Sequence, residues 1–467
     1  MSRSLKLALV SALLPFVSAA FTLRAQTTTA TPPSNSQTAT PAAGEGNVMI
    51  EELKSPNAAT RAKAARELGK AQDVSALPAL AAAASDPSDK VRREVVLALA
   101  QMHQPEVLDA LIKATRDNSE EISVLAVQSL VGYYTGNVPT AGFSGFLKKN
   151  WQRAKGHFNP DTTRVDPGVY MDPKVIATLD ATLKSTSSIR ASCEAAKGLG
   201  ILGARAAVPD LVAAAHSSDE TLSLESLNAL SKIKDRAAGP QLVDLLDSPN
   251  KEIKQQASVT VGILRTSQAA PKLQSLYENA SDPKTGEKAM EGLAYLGDEA
   301  SIPVFTKALG SIDMGIRTSA AEGLARARDP KVLPDLEKAY AVEKDAEVRL
   351  ALQFAMTALG KPDYLNDLVN GLSSRTHWDV AQPYLIELAR IPGFLPKLYP
   401  YFQSSNADVR KRLCTVLMFG GDQTSLDQLD RLSHDPNSDV AAQALQAKNG
   451  LRARLAAAGT SGDTNLP

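Results

Sequence analysis

The segment AVPDL, residues 207–211, decides the fold of this chain because it recurs. Related segments follow as AGPQL at 238–242, AAPKL at 269–273, SIPVF at 301–305 and VLPDL at 332–336. Their prolines are 31 or 32 residues apart. A fixed period of this length is typical of proteins built from stacked structural repeats.

The period continues in both directions if other residues can replace the proline. The further anchor positions are Pro78, Asp109, Ala177, Asn366, Pro396 and Asp427. Two residues after each of the eleven anchors stands Leu, or Phe305 in one repeat. Proline is tolerated in the first turn of a helix, where its missing N–H would have no intrahelical partner. Each anchor therefore predicts the start of a helix.

A second signal follows ten of the anchors, where a β-branched residue or Leu stands 12 to 14 residues further on. The repeat after Pro271 departs from this pattern, with Lys284 and Thr285 at that place. A basic residue often comes next, as at Arg92, Arg190, Lys254, Arg317, Arg349 and Arg410. The turn before it is rich in Asp, Asn, Ser and Pro, which favour helix N-caps. Each unit is therefore predicted to be a first helix, a polar turn and a second helix.

Each helix pair cannot bury its own apolar face, so the pairs are expected to stack. Small residues on the second helices, such as Ala98, Gly292 and Gly323, are expected to let neighbouring pairs approach closely.

The units resemble HEAT repeats of the short HEAT-like class named after phycobilisome lyases. The anchor proline with its Leu carries the resemblance, together with the turns SDKVR (88–92), DAEVR (345–349) and NADVR (406–410). The resemblance covers roughly residues 48–450, apart from one insertion. It implies an all-α, right-handed α-solenoid of the armadillo type, with about ten to eleven two-helix HEAT-like repeats of about 31 residues. In such repeats the recurring Arg commonly joins a ladder with Asp residues of adjacent turns; a stripe that contacts a ligand is the alternative.

An insertion of about 37 residues lies between the anchors Asp109 and Ala177, within residues 133–173. On a helix over residues 143–158, the apolar side chains share one face and the basic side chains lie opposite. Eight residues are candidates for binding a partner: Phe143, Phe146, Lys148, Lys149, Trp151, Arg153, Lys155 and Phe158. The apolar face could dock on the solenoid itself, on a partner protein or on a membrane surface.

The ends of the chain differ in composition from the repeats. Residues 1–25 are predicted to be a signal peptide, cleaved after Ala20 or Ala25, so that the protein is exported to the periplasm or secreted. An uncleaved N-terminal membrane anchor is the alternative. Residues 26–46 are predicted to be a disordered Thr/Pro/Ser/Ala-rich linker, and residues 451–467 a disordered tail. Repeats are assigned to residues 47–132 and 174–450, where Cys193 and Cys414 are expected to be buried and unpaired.

The sequence predicts no catalytic residues, no cofactor and no metal site. The chain has 51 basic and 51 acidic residues, which argues against nucleic acid as a partner. No His is adjacent to Glu, and no two His share metal-ligand spacing. The iron site of deoxyhypusine hydroxylases, which share this repeat, is therefore not expected.

The favoured function is a non-enzymatic scaffold that binds protein partners on the concave face of its second helices. One alternative is an enzyme or enzyme subunit with a site between the insertion and the array edge. Another is a membrane-surface adaptor that uses helix 143–158.

Overall fold

The computed structural model describes residues 43–136, 165 and 169–461, and in these residues twelve helix pairs follow each other along the chain. The first helices are α1 (Ala43–Glu52), α3 (Leu77–Ala83), α5 (Val107–Ala114), α7 (Pro173–Leu183), α9 (Val208–Ala215), the 3₁₀ helix Arg236–Asp247, α12 (Ala270–Asn279), α14 (Ile302–Ala308), α16 (Leu333–Val342), α18 (Leu365–Gly371), α20 (Leu395–Leu398) with the 3₁₀ helix Tyr399–Gln403, and α22 (Ser425–Leu432). The second helices are α2 (Ala58–Ala71), α4 (Asp89–Gln101), α6 (Glu120–Thr135), α8 (Ile189–Ile201), α10 (Glu220–Ile233), α11 (Lys251–Ile263), α13 (Pro283–Leu296), α15 (Met314–Ala327), α17 (Ala346–Ala358), α19 (Trp378–Ala389), α21 (Ala407–Gly420) and α23 (Ser438–Ser461).

The predicted all-α array is confirmed, and it contains one pair more than the eleven sequence anchors. The additional pair is the first one, α1 with α2, which precedes the anchor Pro78. Anchor prolines such as Pro209, Pro271 and Pro303 lie at the first or second position of their helices, as predicted. In the sixth pair, Pro240 instead lies inside a 3₁₀ helix.

The polar turns begin the second helices by capping them. The side chains of Asn57, Asp219, Asp313 and Asn406 each accept a hydrogen bond from a backbone N–H of the first helical turn. These bonds satisfy N–H groups that have no partner inside the helix. The caps recur in most pairs and fix the start of those second helices, whereas the helices that begin at Asp89, Glu120 and Trp378 have no side-chain cap.

The second helices form the more closely packed layer of the array. Each of them packs along the next second helix, whereas neighbouring first helices touch only sparsely. In a curved stack of helix pairs, the layer with the closer spacing lies on the inside of the curve. The second helices therefore form the inner layer, and their faces that point away from the first helices form the inner surface.

Small residues permit this close spacing at two of the three predicted places. A Cβ atom on Gly292 would overlap the Ser258 carbonyl of the preceding second helix, and Ala98 lies directly against Gly69. Gly323 has a different role, because a Cβ there would lie 2.6 Å from the ring of Phe305. Phe305 is the single residue larger than Leu among those two places after an anchor, and Gly323 makes room for it within one pair rather than between pairs.

The array is longer at both ends than the sequence predicts. Helix α1 begins at Ala43, inside the predicted linker. Helix α23 continues to Ser461, so the prediction of a disordered tail from residue 451 was wrong for residues 451–461. The physical reason is tertiary, since Leu451 is fully buried and the guanidinium of Arg454 donates to the Met418 carbonyl at 3.1 Å.

The two cysteines are buried and unpaired, as predicted. Burial raises the pKa of Cys193 to about 11 and that of Cys414 to about 12, so both thiols stay protonated at neutral pH. In the part of the chain that the structure describes, no helix combines the length and the apolar character that crossing a membrane requires.

Candidate partner-binding surface

An arginine ladder runs along the edge of the array where the turns between first and second helices lie. We call the fourth residue of each second helix its ladder position. In the first pair this residue is Arg61, whose guanidinium donates to both carboxylate oxygens of Asp86 in the next turn, at 2.6 and 2.8 Å. Its remaining nitrogen donates to the Ser55 carbonyl of its own turn at 2.8 Å. One side chain thus closes its own turn and joins it to the next pair.

The same bidentate link recurs at three more ladder positions, from Arg92 to Asp117, from Arg317 to Glu343 and from Arg410 to Asp435. In all four links the carboxylates are at most 10 % exposed, and the arginines at most 18 %. The hydrogen bonds from Arg61 and Arg410 hold the pKa values of Asp86 and Asp435 below their usual range. These guanidinium groups are occupied within the array, which favours the ladder over the ligand stripe that was its alternative.

Serine replaces arginine at the ladder position in the third, fourth and fifth pairs. Ser123, Ser192 and Ser223 are buried, and each hydroxyl donates to a carbonyl near the end of its own first helix, at 2.6, 3.0 and 2.6 Å. These bonds close the turn within a pair but do not reach the next pair. We call these three pairs the serine section.

Arg190 does not belong to the ladder, contrary to the sequence pattern. It is the second residue of α8, and Ser192 holds the ladder position. Arg190 is 67 % exposed and contacts Glu120 of the preceding pair at 3.2 Å. The pattern failed here because Ile189, the apolar residue before Arg190, is the first residue of its helix, whereas Val91, Ile316 and Val409 are the third residues of theirs.

Of the five remaining ladder positions, Gly286, Ala381 and Ala441 are not basic, and the other two deviate because the neighbouring turn differs. Arg349 faces a following turn, SSRTH at 373–377, that has no acid, and it donates instead to the carbonyls of Tyr340 and Glu343. In the sixth pair, Gln255 beside Lys254 reaches the next turn and donates to Asp282 at 3.0 Å. Asp282 also caps α13 by accepting from the Thr285 N–H, which explains the irregular sequence after Pro271.

The inner surface carries charges of both signs. The sixth, ninth and thirteenth residues of each second helix share one face, which we call the inner stripe. In α2 the stripe consists of Lys63, Arg66 and Lys70, all exposed. Further along, Lys197 of α8 contacts Glu225 of α10 at 3.5 Å, and burial raises the pKa of Glu225 above its usual value. The inner stripe thus offers a mixed-charge surface without a strong overall sign.

A buried polar cluster interrupts the inner stripe at pairs eight to ten, and we call it the Arg326 cluster. The guanidinium of Arg326 on α15 donates to both carboxylate oxygens of Glu387 on α19, at 2.8 and 3.1 Å. It also donates to Glu322 at 3.1 Å and to the Ala294 carbonyl at 3.2 Å. The hydroxyl of Tyr384 donates to the other oxygen of Glu322 at 2.6 Å. Both contacts with α19 pass over α17, the helix between them.

The side chains of α17 make this crossing possible. Its inner-stripe residues are Ala351, Phe354 and Ala358. The alanines leave space for Arg326 to reach past α17, while the ring of Phe354 stacks on Tyr384 with centroids 4.6 Å apart. Arg326 and Glu322 are only 7 % and 6 % exposed. Burial and the Glu322 charge raise the pKa of Tyr384 well above its usual value, so its hydroxyl remains a donor.

The insertion leaves the inner layer unbroken. Helix α6 before it packs directly on α8 after it. At its two ends, the Asp172 N–H donates to the Tyr134 hydroxyl at 3.0 Å, and the Val165 N–H donates to the Ile201 carbonyl at 3.1 Å. Val165 is therefore held against the end of α8.

The eight candidate residues of the insertion lie outside the described residues and stay a prediction: Phe143, Phe146, Lys148, Lys149, Trp151, Arg153, Lys155 and Phe158.

Within residues 43–136, 165 and 169–461, no group of three or more His, Cys, Asp and Glu side chains is arranged to hold a metal ion. His216 contacts Asp244 of the next pair at 3.2 Å. Burial lowers the pKa of His216, but the hydrogen bond with the Val212 carbonyl and the contact with Asp244 outweigh this effect, so the pKa is raised.

The stacked helix pairs, the recurring caps and the arginine ladder define an α-solenoid. The model of the family described as HEAT repeats matches residues 46–131, 176–262, 208–286 and 270–357, which together exceed half of the chain. The chain belongs to the HEAT-repeat family, as its sequence pattern predicted.

Several solved structures are similar to this chain. An engineered protein is 17 % identical, with 87 % of this chain and 99 % of that protein covered, at a TM-score of 0.38. The complex of CpcE and CpcF of phycocyanin lyase from Nostoc sp. PCC7120 is 19 % identical, with coverages of 63 % and 98 % and a TM-score of 0.35. Kap121p bound to Ste12p is 13 % identical, with coverages of 90 % and 58 % and a TM-score of 0.42. No curated protein sequence matches the chain.

Proposed function

We propose that this chain is an exported HEAT-repeat scaffold that binds a protein partner on its inner surface and performs no chemistry of its own. The observation that carries the proposal is the continuity of the inner layer, in which α6 packs on α8 across the insertion. A long, unbroken and curved surface suits an extended protein partner, and repeat solenoids typically use such surfaces for binding.

The use of the ladder arginines supports the inner surface as the place of recognition. Arg61, Arg92, Arg317 and Arg410 are occupied by carboxylates of the array itself. By contrast, Lys63 and Lys70 on the inner stripe of α2 are exposed. Charges that a partner can reach determine its orientation and its rate of association more than the affinity itself.

The insertion is proposed to determine which partner binds. It lies between α6 and α7 in the sequence, and α6 nevertheless packs on α8. Its basic and aromatic composition includes Trp and Arg, which are enriched at the energetic centres of interfaces.

The test is affinity capture from the envelope fraction with the full chain and with a chain whose residues 137–164 are replaced by a short Gly/Ser linker. This deletion keeps Tyr134, Val165 and Asp172, whose contacts anchor the two ends of the insertion. We expect the deletion to lose the specific partner. Capture of the same proteins in equal amounts by both chains would contradict a specificity role for the insertion.

A matched pair of charge reversals tests the inner surface separately. Lys63→Glu changes an exposed side chain of the inner stripe, and Lys338→Glu changes an exposed side chain of the first helix α16. We expect only Lys63→Glu to weaken capture. Equal capture by both variants would argue against the inner surface of the first pairs.

The alternatives give different results in the same material. Liposome binding that is lost in Phe146→Ser and Trp151→Ser would favour a membrane-surface adaptor, and a stoichiometric transition metal in the purified protein would contradict the non-enzymatic scaffold.

The mass of the chain isolated from its native envelope reports whether the first 20 or 25 residues have been removed, and an uncut chain would contradict cleavage.

A further inference from the structure

The links between helix pairs are distributed unevenly along the array. At pairs eight to ten, the Arg326 cluster adds contacts between pairs that are two positions apart, beyond the ladder link from Arg317 to Glu343. In the serine section, the ladder hydroxyls bond only within their own pairs. The same fold therefore contains one region with additional cross-links and one region where three successive ladder positions are serines that bond only within their own pairs.

A contact between second-nearest pairs restrains curvature in a way that a contact between nearest neighbours does not. The distance between α15 and α19 changes whenever the array bends or straightens at α17. The bidentate bonds from Arg326 to Glu387 and the bond from Tyr384 to Glu322 hold only over a narrow range of that distance, because hydrogen bonds weaken steeply with length and angle. The burial of Arg326 and Glu322 makes the loss of these bonds costly.

The serine section has no comparable restraint at its ladder positions. Its neighbouring pairs are joined there by exposed pairs such as Arg190 with Glu120 and Lys184 with Asp210. Exposed ion pairs of long side chains restrain geometry weakly, since water and salt compete for both charges.

We propose that the Arg326 cluster is a latch that fixes the curvature of the inner surface over pairs eight to ten, and that the array bends in the serine section instead. The latch is built from Arg326, Glu322, Tyr384 and Glu387, and the alanines of α17 allow it to close. The C-terminal half then presents a preformed surface, while the N-terminal half adapts around the position of the insertion. This proposal concerns conformation alone and does not depend on the identity of a partner.

Spin-label distance distributions at matched positions test the proposal. The residue two places before each second helix lies in an exposed turn, as at Asn118, Pro249, Ile312 and Ser405. The substitutions Asn118→Cys with Pro249→Cys span the serine section over three steps of the array. Ile312→Cys with Ser405→Cys span the latch over the same number of steps. The parent chain, with its two buried thiols, is the labelling blank.

We expect a narrow distance distribution across the latch and a broader one across the serine section. Adding Tyr384→Phe and Glu387→Gln should broaden the distribution across the latch and leave the one across the serine section unchanged. Tyr384→Phe retains the ring that stacks on Phe354, so the apolar packing of α19 is preserved.

Three results would overturn the proposal. Distributions of equal width in the parent chain would show that the latch does not restrain bending. An unchanged distribution across the latch in the Tyr384→Phe, Glu387→Gln variant would show that these bonds do not hold the curvature. Broadening of both distributions in that variant would mean that its effect is a general loss of structure rather than the opening of a latch.

Discussion

Arg92 and Arg326 make similar bonds but join different parts of the array. Arg92 forms a bidentate pair with Asp117 of the next turn, and this arrangement recurs at three other ladder positions. Arg326 forms its bidentate pair with Glu387, past an intervening helix, and no other ladder or inner-stripe arginine in the described residues makes such a contact. The comparison shows that a repeat protein can contain both a periodic link, which the sequence displays, and a singular link, which depends on the curvature of the finished array.

The largest effect is expected from removing the singular link. Arg326→Met retains much of the side-chain volume but leaves the buried Glu322 and its neighbour Glu387 without their cation. Breaking a buried ion pair by removing one partner costs about 3–5 kcal/mol. Because a solenoid need not unfold in a single step, the measurement is hydrogen exchange of the amides in α15 and α19.

The Tyr384→Phe variant is the control for this prediction, since it removes one hydrogen bond and no charge. Tyr384→Phe should lower the free energy of opening of the same amides by about 1–2 kcal/mol, as is usual when one partner of a buried hydrogen bond is removed. If these amides exchange no faster in Arg326→Met than in Tyr384→Phe, the guanidinium of Arg326 contributes no more to local stability than the hydroxyl of Tyr384. The Arg326 link would then not be stronger than a ladder link.

A smaller effect is expected from breaking one periodic link. Arg92→Gln leaves Asp117, which is 7 % exposed, without its guanidinium partner and should destabilise the second and third pairs by about 1.5–3 kcal/mol. Arg190→Gln is the matched control, because Arg190 is exposed and lies outside the ladder; its loss should cost at most about 0.5 kcal/mol. Urea unfolding at a fixed pH, followed by circular dichroism, compares the two midpoints. Equal midpoints would remove the energetic distinction between ladder and non-ladder arginines.

The smallest effect concerns the residue that ends a second helix. Arg328 ends α15 with a left-handed backbone at φ 57°, whereas Gly297 ends α13 at φ 62°. A left-handed conformation costs a non-glycine residue roughly 1–2 kcal/mol. Replacing Arg328 by glycine removes this strain, but the greater freedom of glycine in the unfolded chain offsets part of the stabilisation. Arg328→Gly should therefore raise stability by about 0.5–1 kcal/mol. The urea midpoint should increase slightly; a decrease would reveal a contact of Arg328 that outweighs the strain.

The reverse substitution, Gly297→Ala, should lower the same midpoint. Its Cβ would also lie 2.6 Å from the Cβ of Arg326, so crowding adds to the backbone strain.

The parts of the fold that the sequence predicted are those determined by local chemistry. Helix starts at the anchor prolines, the caps in the polar turns and most ladder arginines depend on residues within one period of each other. The same local rules failed at Arg190, because the helix begins at Ile189 itself and Arg190 is therefore two residues before the ladder position. They also failed at Gly323, which accommodates Phe305 inside one pair, although both members of this compensating pair are unusual in the sequence.

The candidate surface was predictable only in outline. The inner stripe follows from helical periodicity, but the meeting of Arg326, Tyr384 and Glu387 requires helices two pairs apart to approach. No spacing in the sequence encodes that approach. The small residues Ala351 and Ala358 on α17 were the available signal, and among many alanines they could not be distinguished. The continuation of α23 past residue 450 was missed for a similar reason, because the burial of Leu451 depends on the preceding pair.

The link across α17 has a consequence for how this chain could change by duplication or loss of repeats. An array held only by contacts between adjacent pairs can gain or lose one pair while every remaining interface keeps its form. Around Arg326 this modularity does not hold. Removing the pair α16–α17 would bring α15 directly against α19, and the side chains that now reach over a helix would be forced into an interface with no space for them. Recombination of repeats should therefore be tolerated in the serine section and selected against at pairs eight to ten.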